Sequence, residues 1–246
     1  MSALLSLEGV SKRFRGLVAV DRVSFEVFEG ALFAVIGPNG AGKTTLFNMI
    51  AGALAPDEGT ITFAGEAIGA LTSDAVCRRG IGRTFQLVRP FPALSVEDNV
   101  IVGALLRRND VDAARERAQA LLRRLELYDK RNQPAATLTL PDRKRLEVAR
   151  ALATEPRLLL LDEVMAGLRP TETDRMVAIL QTLNREIGLT ILLIEHVMRA
   201  VMALASRVVV LDHGTMIASG APADVVRDPA VVQSYLGQSD FETRVV

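Results

Sequence analysis

One segment of the 246-residue chain constrains its fold more than any other: Gly37-Pro-Asn-Gly-Ala-Gly-Lys-Thr44. An apolar run at residues 31–36 precedes it and predicts a strand, and residues 43–51 predict a helix that ends at Gly52. The spacing G-x-x-x-x-G-K-[ST] between a strand and a helix is typical of a phosphate-binding loop, because backbone N–H groups there surround a phosphate at the positive end of a helix. The alternative is an ordinary glycine-rich turn, and the flanking strand and helix argue against it.

The loop also predicts which groups contact the ligand. Lys43 is expected to reach the β- and γ-phosphates of a nucleotide, and the Thr44 hydroxyl is expected to be a ligand of Mg²⁺. The residues predicted to bind the nucleotide here are Gly37, Pro38, Asn39, Gly40, Ala41, Gly42, Lys43, Thr44 and Thr45.

A second signal is an apolar run at residues 158–161 followed by Asp162 and Glu163. A central strand would deliver these carboxylates to the carboxyl edge of the sheet, where open α/β folds bind their ligands. There Asp162 is predicted to hold Mg²⁺ through a water, and Glu163 is predicted to take a proton from an attacking water. The alternative, a strand followed by an acidic turn, fits an isolated Asp-Glu pair better than one in a chain that also carries the loop.

The remaining pattern alternates between strand and helix. Short stretches at 5–10, 18–20 and 23–28 predict an N-terminal antiparallel β meander. Residues 91–131 are predicted to be helical, and within 111–125 one helix face carries Ala114, Ala118, Leu121, Leu122 and Leu125. Strands are predicted again at 158–161, 189–194 and 208–211, with helices at 142–154 and 171–187.

Composition excludes several function classes. The 29 basic side chains equal the 29 acidic ones, so no global field attracts nucleic acid or an anionic membrane surface. Cys77 is alone, which forbids an intrachain disulfide and fits a reducing cytosol. The longest stretches without a charged residue are interrupted by glycine or proline and are shorter than the roughly 20 apolar residues that a spanning helix needs.

On these motifs and their order, the chain resembles the nucleotide-binding subunits of ATP-binding cassette (ABC) transporters. The resemblance implies an α/β fold with a P-loop NTPase (RecA-like) core, hydrolysis of ATP, and Mg²⁺ as its partner ion. It implies one domain over residues 1–246, with the core at about 1–88 and 156–246 and a helical subdomain at about 89–155.

The resemblance assigns roles to three further residues. Phe14 would stack on adenine, Gln86 would touch Mg²⁺ and the γ-phosphate, and His196, after the strand at 190–194, would bond the γ-phosphate and orient the water. Phe14 fits a core position in the first hairpin as well, and both interpretations stand at this stage. His213 is interpreted as a turn residue without a role.

The family binds ATP between two subunits, and the signature segment of one acts on the nucleotide of the other. The family's Leu-Ser-Gly-Gly-Gln corresponds here to Leu138-Thr-Leu-Pro-Asp142. Thr139 keeps a hydroxyl for the nucleotide and is predicted to cap the next helix together with Asp142. Pro141 removes an N–H donor, at a cost on the order of 2 kcal/mol, and Asp142 places a negative charge near the phosphate. We therefore expect asymmetric sites and favour a heterodimer over a homodimer.

Within the family, the chain resembles importers of branched-chain and other hydrophobic amino acids. Motifs that carry this resemblance are Gly82-Arg-Thr-Phe-Gln-Leu-Val-Arg-Pro-Phe91, Ala166-Gly-Leu168 and Ser234-Tyr-Leu-Gly237. It implies membrane permease subunits as partners, a periplasmic or extracellular substrate-binding protein as an indirect one, no nucleic acid, and a cytoplasmic position on the inner face of the membrane.

Three other functions remain open. The motif Ser234-Tyr-Leu-Gly237 is shared with the family's lipopolysaccharide-export ATPase, which is the alternative within the family. A soluble P-loop ATPase acting on DNA or the ribosome is less consistent with a single cassette that lacks long coiled coils and zinc-binding cysteines. A small-molecule kinase would lack the ordered set Gln86, Asp162, Glu163 and His196.

Overall fold

The computed structural model describes residues 3–85 and 90–235 and combines two β-sheets with helices, so the predicted α/β class is confirmed. The strands are β1 Ala3–Phe14, β2 Leu17–Phe28, β3 Leu32–Ile36, β4 Glu58–Phe63, β5 Glu66–Ala67, β6 Ile81–Arg83, β7 Leu158–Asp162, β8 Thr190–Ile194, β9 Arg207–Asp212 and β10 Thr215–Gly220. The helices are α1 Lys43–Ile50, α2 Ser73–Arg79, α3 Val96–Ala104, α4 Val111–Arg124, α5 Leu140–Ala153, α6 Pro170–Ile187, α7 Met198–Leu204, α8 Pro222–Val225 and α9 Pro229–Tyr235.

The central sheet has six strands in the order β10-β9-β3-β8-β7-β6. Every pair is parallel except β10 with β9, so the carboxyl ends of β3, β7 and β8 lie at one edge. Alternate residues of β7 and β8 enter different hydrophobic clusters on the two faces of the sheet. Burial on both faces explains why these strands are continuous apolar runs.

The second sheet has the order β2-β1-β4-β5, and all its pairs are antiparallel. The predicted arrangement of three short strands was wrong in detail, because 18–20 and 23–28 belong to the single 12-residue strand β2. Arg22 adopts a φ of 48° between them, which interrupts the alternation of side chains without ending the strand. The third strand of this sheet is β4, which sequence analysis did not predict.

Helices α3, α4 and α5 follow β6 and precede β7 along the chain, and they pack on one another. Ser95 caps α3 by accepting the Asp98 N–H at 3.0 Å, and Asp110 caps α4 by accepting the Ala113 N–H at 3.0 Å. The face of α4 predicted from the sequence is buried, as expected for an amphipathic helix. The boundaries 1–88, 89–155 and 156–246 stay a prediction.

Among residues 3–85 and 90–235, no helix has the length and apolar character needed to cross a lipid bilayer.

Candidate functional site

The loop between β3 and α1 is shaped by two glycines that no other residue replaces easily. Gly37 has a φ of 149°, and a Cβ there would lie 2.0 Å from the Leu211 carbonyl oxygen. Gly42 has a φ of 96°, and its Cβ would lie 2.2 Å from the Ala19 carbonyl oxygen. The loop therefore depends on glycine both for backbone conformation and for close contact with β2 and β9.

Lys43 is buried beneath this loop. Its Nζ donates hydrogen bonds to the carbonyl oxygens of Gly37 and Pro38, each at 2.8 Å. Burial lowers the pKa of Lys43 to about 8, although the charges of Glu163 and Asp162 act in the opposite direction. The ammonium group thus lies inside the curve of the loop, where a phosphate would meet it.

An open cleft of about 450 Å³ lies over the loop. Its lining combines loop residues with side chains from other elements, namely Phe14, Leu17, Val18, Ala19, Asn39, Gly40, Ala41, Gly42, Lys43, Thr44, Thr45, Glu163, His196 and His213. Phe14 is 43% exposed at the cleft, so its interpretation as a core aromatic was wrong. His213, to which the sequence assigned no role, lies on the same lining and places Nδ1 2.7 Å from Asp212 Oδ1.

Asp162 ends β7 and is almost completely buried. Its Oδ2 accepts a hydrogen bond from Arg83 Nη2 at 3.1 Å, whereas Oδ1 is buried without a hydrogen-bond partner among the described residues. Burial raises the pKa of Asp162, and the neighbouring Arg83 opposes that rise. One carboxylate oxygen is therefore left to bind a ligand.

Arg83 also belongs to this site, although no role was predicted for it from the sequence. It ends β6, donates to Asn48 Oδ1 at 2.7 Å and to Asp162, and is only 11% exposed. Its position next to β7 follows from the parallel pairing of β6 with β7, and the sequence signal for β6 was too short to be recognised.

The chemistry of these oxygens fits Mg²⁺. An unpartnered carboxylate oxygen of Asp162 and an exposed Thr44 hydroxyl at the start of α1 are hard ligands of the type that Mg²⁺ prefers. Within the described ranges, no cluster of three His, Cys, Asp or Glu side chains is placed to hold a metal ion. Gln86, the third predicted ligand, lies outside the described residues.

Glu163 follows β7 with a left-handed φ of 51°. Its backbone N–H donates to the Ile194 carbonyl at 3.0 Å, and His196 Nε2 lies 2.8 Å from its Oε1. The turn thus brings together the ends of β7 and β8, as the sequence pattern predicts for parallel neighbours. A carboxylate beside an imidazole in an open cleft has the groups needed to receive a proton from water.

Glu195 is a second residue that the sequence analysis missed. It is buried, its Oε1 accepts the Met165 N–H at 2.9 Å, and burial raises its pKa to about 7. The carboxylate therefore fixes the turn that follows Glu163. The sequence signal that could have identified Glu195 is its position, directly before His196 and at the end of a predicted strand.

The signature segment lies elsewhere in the chain and differs from two expectations. Thr139 does not line the cleft, and its hydroxyl donates to Asp142 Oδ2 at 2.8 Å rather than accepting a backbone N–H, so the predicted cap does not form. Asp142 is 2% exposed and also accepts hydrogen bonds from Lys130 and Arg145. Although burial raises its pKa, these donors hold the pKa of Asp142 below its usual value. Its charge is compensated within the chain rather than presented to a neighbour.

Comparison with known proteins agrees with this geometry. Residues 20–166 match the ABC transporter family, and residues 215–240 match the family described as branched-chain amino acid ATP-binding cassette transporter. The chain is 39% identical to the high-affinity branched-chain amino acid transport ATP-binding protein LivG of Salmonella typhimurium strain LT2, over 96% of this chain and 98% of LivG. It is 36% identical to the lipopolysaccharide export system ATP-binding protein LptB of Escherichia coli strain K12, over 97% of this chain and 99% of LptB.

Comparison with solved structures points to the same family. A crystal structure of the ADP conformation of an ATP-binding cassette from an ABC transporter superposes with a TM-score of 0.88 at 30% identity, covering 97% of this chain and all of that one. With a family model that spans more than half of the chain, and relatives that align along nearly all of it, the protein belongs to the ABC transporter family as an ATP-binding subunit that hydrolyses ATP.

Proposed function

We propose that this chain powers the import of branched-chain or other hydrophobic amino acids through a membrane permease. The observation that carries this choice is the match of residues 215–240 to the branched-chain cassette family, together with 39% identity to LivG. The cargo itself would be chosen by the permease and by a binding protein outside the membrane.

The geometry of the cleft supports specific roles in hydrolysis. Backbone N–H groups of the loop and the Lys43 ammonium hold the β- and γ-phosphates, and Phe14 at the cleft lining stacks on adenine. Glu163 takes a proton from the attacking water, and His196, 2.8 Å from Glu163, orients that water and the γ-phosphate. Thr44, Gln86 and Asp162 would hold Mg²⁺, which neutralises charge that develops on the phosphates.

The complete site requires a second ATP-binding subunit. Thr139 lies outside the cleft of its own chain, which supports the proposal that it contacts the nucleotide of a partner. Pro141 in the first turn of α5 offers no N–H there, and the Thr139 hydroxyl proton is already donated to Asp142. We therefore favour a heterodimer in which the cleft of this chain is completed by a partner with a stronger signature.

The permease would dock on a groove between α2, β6, α3 and α5. This groove has a volume of about 270 Å³, and Phe85 and Val102 on its lining are exposed although they are large and apolar. Such a surface is typical of a protein–protein contact. Docking here would place the chain on the inner face of the membrane, where its ATP hydrolysis can drive transport.

Lipopolysaccharide export is the second candidate, supported by the 36% identity to LptB. A soluble P-loop ATPase that acts on DNA or the ribosome, or a small-molecule kinase, has less support, because the relatives align along nearly the entire chain as transport ATP-binding proteins.

Reconstitution tests the proposal. The complex would be purified from native membranes through a tag on this chain, inserted into proteoliposomes with its binding protein, and supplied with labelled leucine or with lipopolysaccharide. ATP-dependent leucine uptake that is lost in Glu163→Gln supports the proposal, whereas movement of lipopolysaccharide alone supports the alternative. Recovery of this chain with ribosomes or DNA rather than with membranes overturns both.

Heterodimer formation has its own test. ATP turnover of the purified chain alone would be compared with turnover of the assembled transporter. Equal turnover would contradict the asymmetric arrangement.

A further inference from the structure

Lys144 is a buried cation for which neither the sequence motifs nor the proposed mechanism has a use. It lies on α5, is 5% exposed, and its Nζ donates a hydrogen bond to the backbone carbonyl oxygen of Glu163 at 2.9 Å. An ammonium group is rarely buried unless it is paired, so this contact offsets a considerable cost of desolvation.

The carbonyl that Lys144 holds belongs to a turn with an unusual backbone. Glu163 is a non-glycine residue with a φ of 51°, a conformation that persists only where the surroundings fix it. Four hydrogen bonds do so: Glu163 N–H donates to the Ile194 carbonyl, Met165 N–H donates to Glu195, and both Ala166 N–H and Lys144 Nζ donate to the Glu163 carbonyl. Lys144 is the one among them that comes from the helical layer.

Charge supports the same conclusion. The carboxylates that act on Lys144 are Glu195, Glu163, Asp162 and Glu147, which come from three different elements around the turn. Glu147 has its own partner in Arg150 at 3.1 Å. The ammonium group therefore compensates negative charge at the ends of β7 and β8. It also donates a hydrogen bond to the Glu163 carbonyl, in the turn that follows β7.

We propose that Lys144 is a positioning residue for ATP hydrolysis, which fixes the Glu163 peptide so that the Glu163 carboxylate stays beside His196 and faces the water. Lys144 is not among the residues that line the cleft over the phosphate loop, so it would act through Glu163. This inference rests on the proposed role of Glu163 as the base. Because α5 begins at the signature segment, Lys144 also connects that segment directly to the base of the same chain.

The test compares Lys144→Met, which keeps the length of the side chain but removes its charge and donors, with Lys144→Arg, which retains both. We expect kcat to fall by about 100-fold in Lys144→Met, the size of effect that a misplacement of about 1 Å produces, and to recover in large part in Lys144→Arg. KM and the Kd for ATP should stay within about twofold, since the phosphate loop is untouched. Arg115→Met, which removes an exposed cation from α4, is the matched control and should leave turnover unchanged.

A double variant separates this proposal from the proposed function. In a Glu163→Gln background, Lys144→Met should cause no further loss, because its effect passes through Glu163. A second loss of similar size, or normal turnover in Lys144→Met, would overturn the positioning role. Normal turnover in Glu163→Gln alone would instead overturn the role of Glu163. If Lys144→Met does not bind ATP because it fails to fold, Lys144→Leu, which is shorter and also has neither charge nor donors, takes its place with the same expected outcomes.

Discussion

His196 Nε2 lies 2.8 Å from Glu163 Oε1, so the imidazole at the end of β8 contacts the carboxylate at the end of β7. The variant His196→Ala removes the group proposed to orient the attacking water beside Glu163. We expect kcat to fall by about 100-fold, with a smaller change in the Kd for ATP, because positioned proton-transfer groups contribute effects of this size. Steady-state turnover and equilibrium binding of ATP check the prediction, and unchanged turnover would show that the contact has no part in catalysis.

Arg83 Nη2 lies 3.1 Å from Asp162 Oδ2 and compensates the charge of this buried carboxylate. Arg83→Met should lower the free energy of unfolding by about 3 kcal/mol, because removal of one partner leaves a buried charge without compensation. Added Mg²⁺ should restore part of this loss in the variant and have a smaller effect on the wild type.

Thermal unfolding with and without MgCl₂ measures both effects. Arg199→Met is the matched control, since its pair with Asp174 is exposed and should contribute less than about 1 kcal/mol. Equal stability of Arg83→Met and wild type would contradict the assignment of Arg83 as the internal counter-ion.

Glu195 should make stability depend on pH. Burial raises its pKa from 4.5 to about 7, so the folded state binds a proton more tightly than the unfolded state and stability is lost as pH rises from about 4.5 through 7. Glu195→Gln keeps an acceptor for Met165 N–H but does not titrate. The variant should gain stability relative to wild type between pH 5 and pH 8, by about 3 kcal/mol at most. Unfolding temperatures at the two pH values test this, and a gain that is equal at both would exclude Glu195 as the titrating group.

Restoring a hydrogen-bond donor to the signature segment, residues 138–142, is expected to increase ATP turnover. Pro141→Gly restores an N–H donor in the first turn of α5 and should raise the turnover of the homodimer by up to about 30-fold, the equivalent of about 2 kcal/mol. Pro222→Gly, at the start of α8, is the control for the loss of a helix-starting proline. If both variants behave like wild type, the missing donor does not limit the site.

Much of this architecture was predictable because strong local patterns agreed with it. The glycine loop, the apolar runs of β7 and β8 and the buried face of α4 each follow from residue spacing alone. The short strand β6 and the edge-strand β5 carry too few residues for a periodic signal, and they form through pairing with distant strands.

The contacts of the site were less predictable than its residues. Sequence order placed Asp162, Glu163 and His196 at strand ends, but it did not show that Arg83 covers one oxygen of Asp162 or that Lys144 holds the Glu163 peptide. It also predicted a free charge at Asp142, whereas Lys130 and Arg145 neutralise it. Arg83 and Lys144 are far along the chain from the groups they contact, and only the folded arrangement brings them together, whereas Arg145 lies one helical turn after Asp142 on α5.

The most direct test of the account is the ATP turnover of Glu163→Gln beside its affinity for ATP. Glutamine keeps the size of the side chain but cannot accept the proton of the attacking water, so binding should remain within a few-fold of wild type while kcat falls by at least about 100-fold. Turnover close to that of the wild type, with ATP bound normally, would contradict the assignment of Glu163 as the base and with it the proposed mechanism.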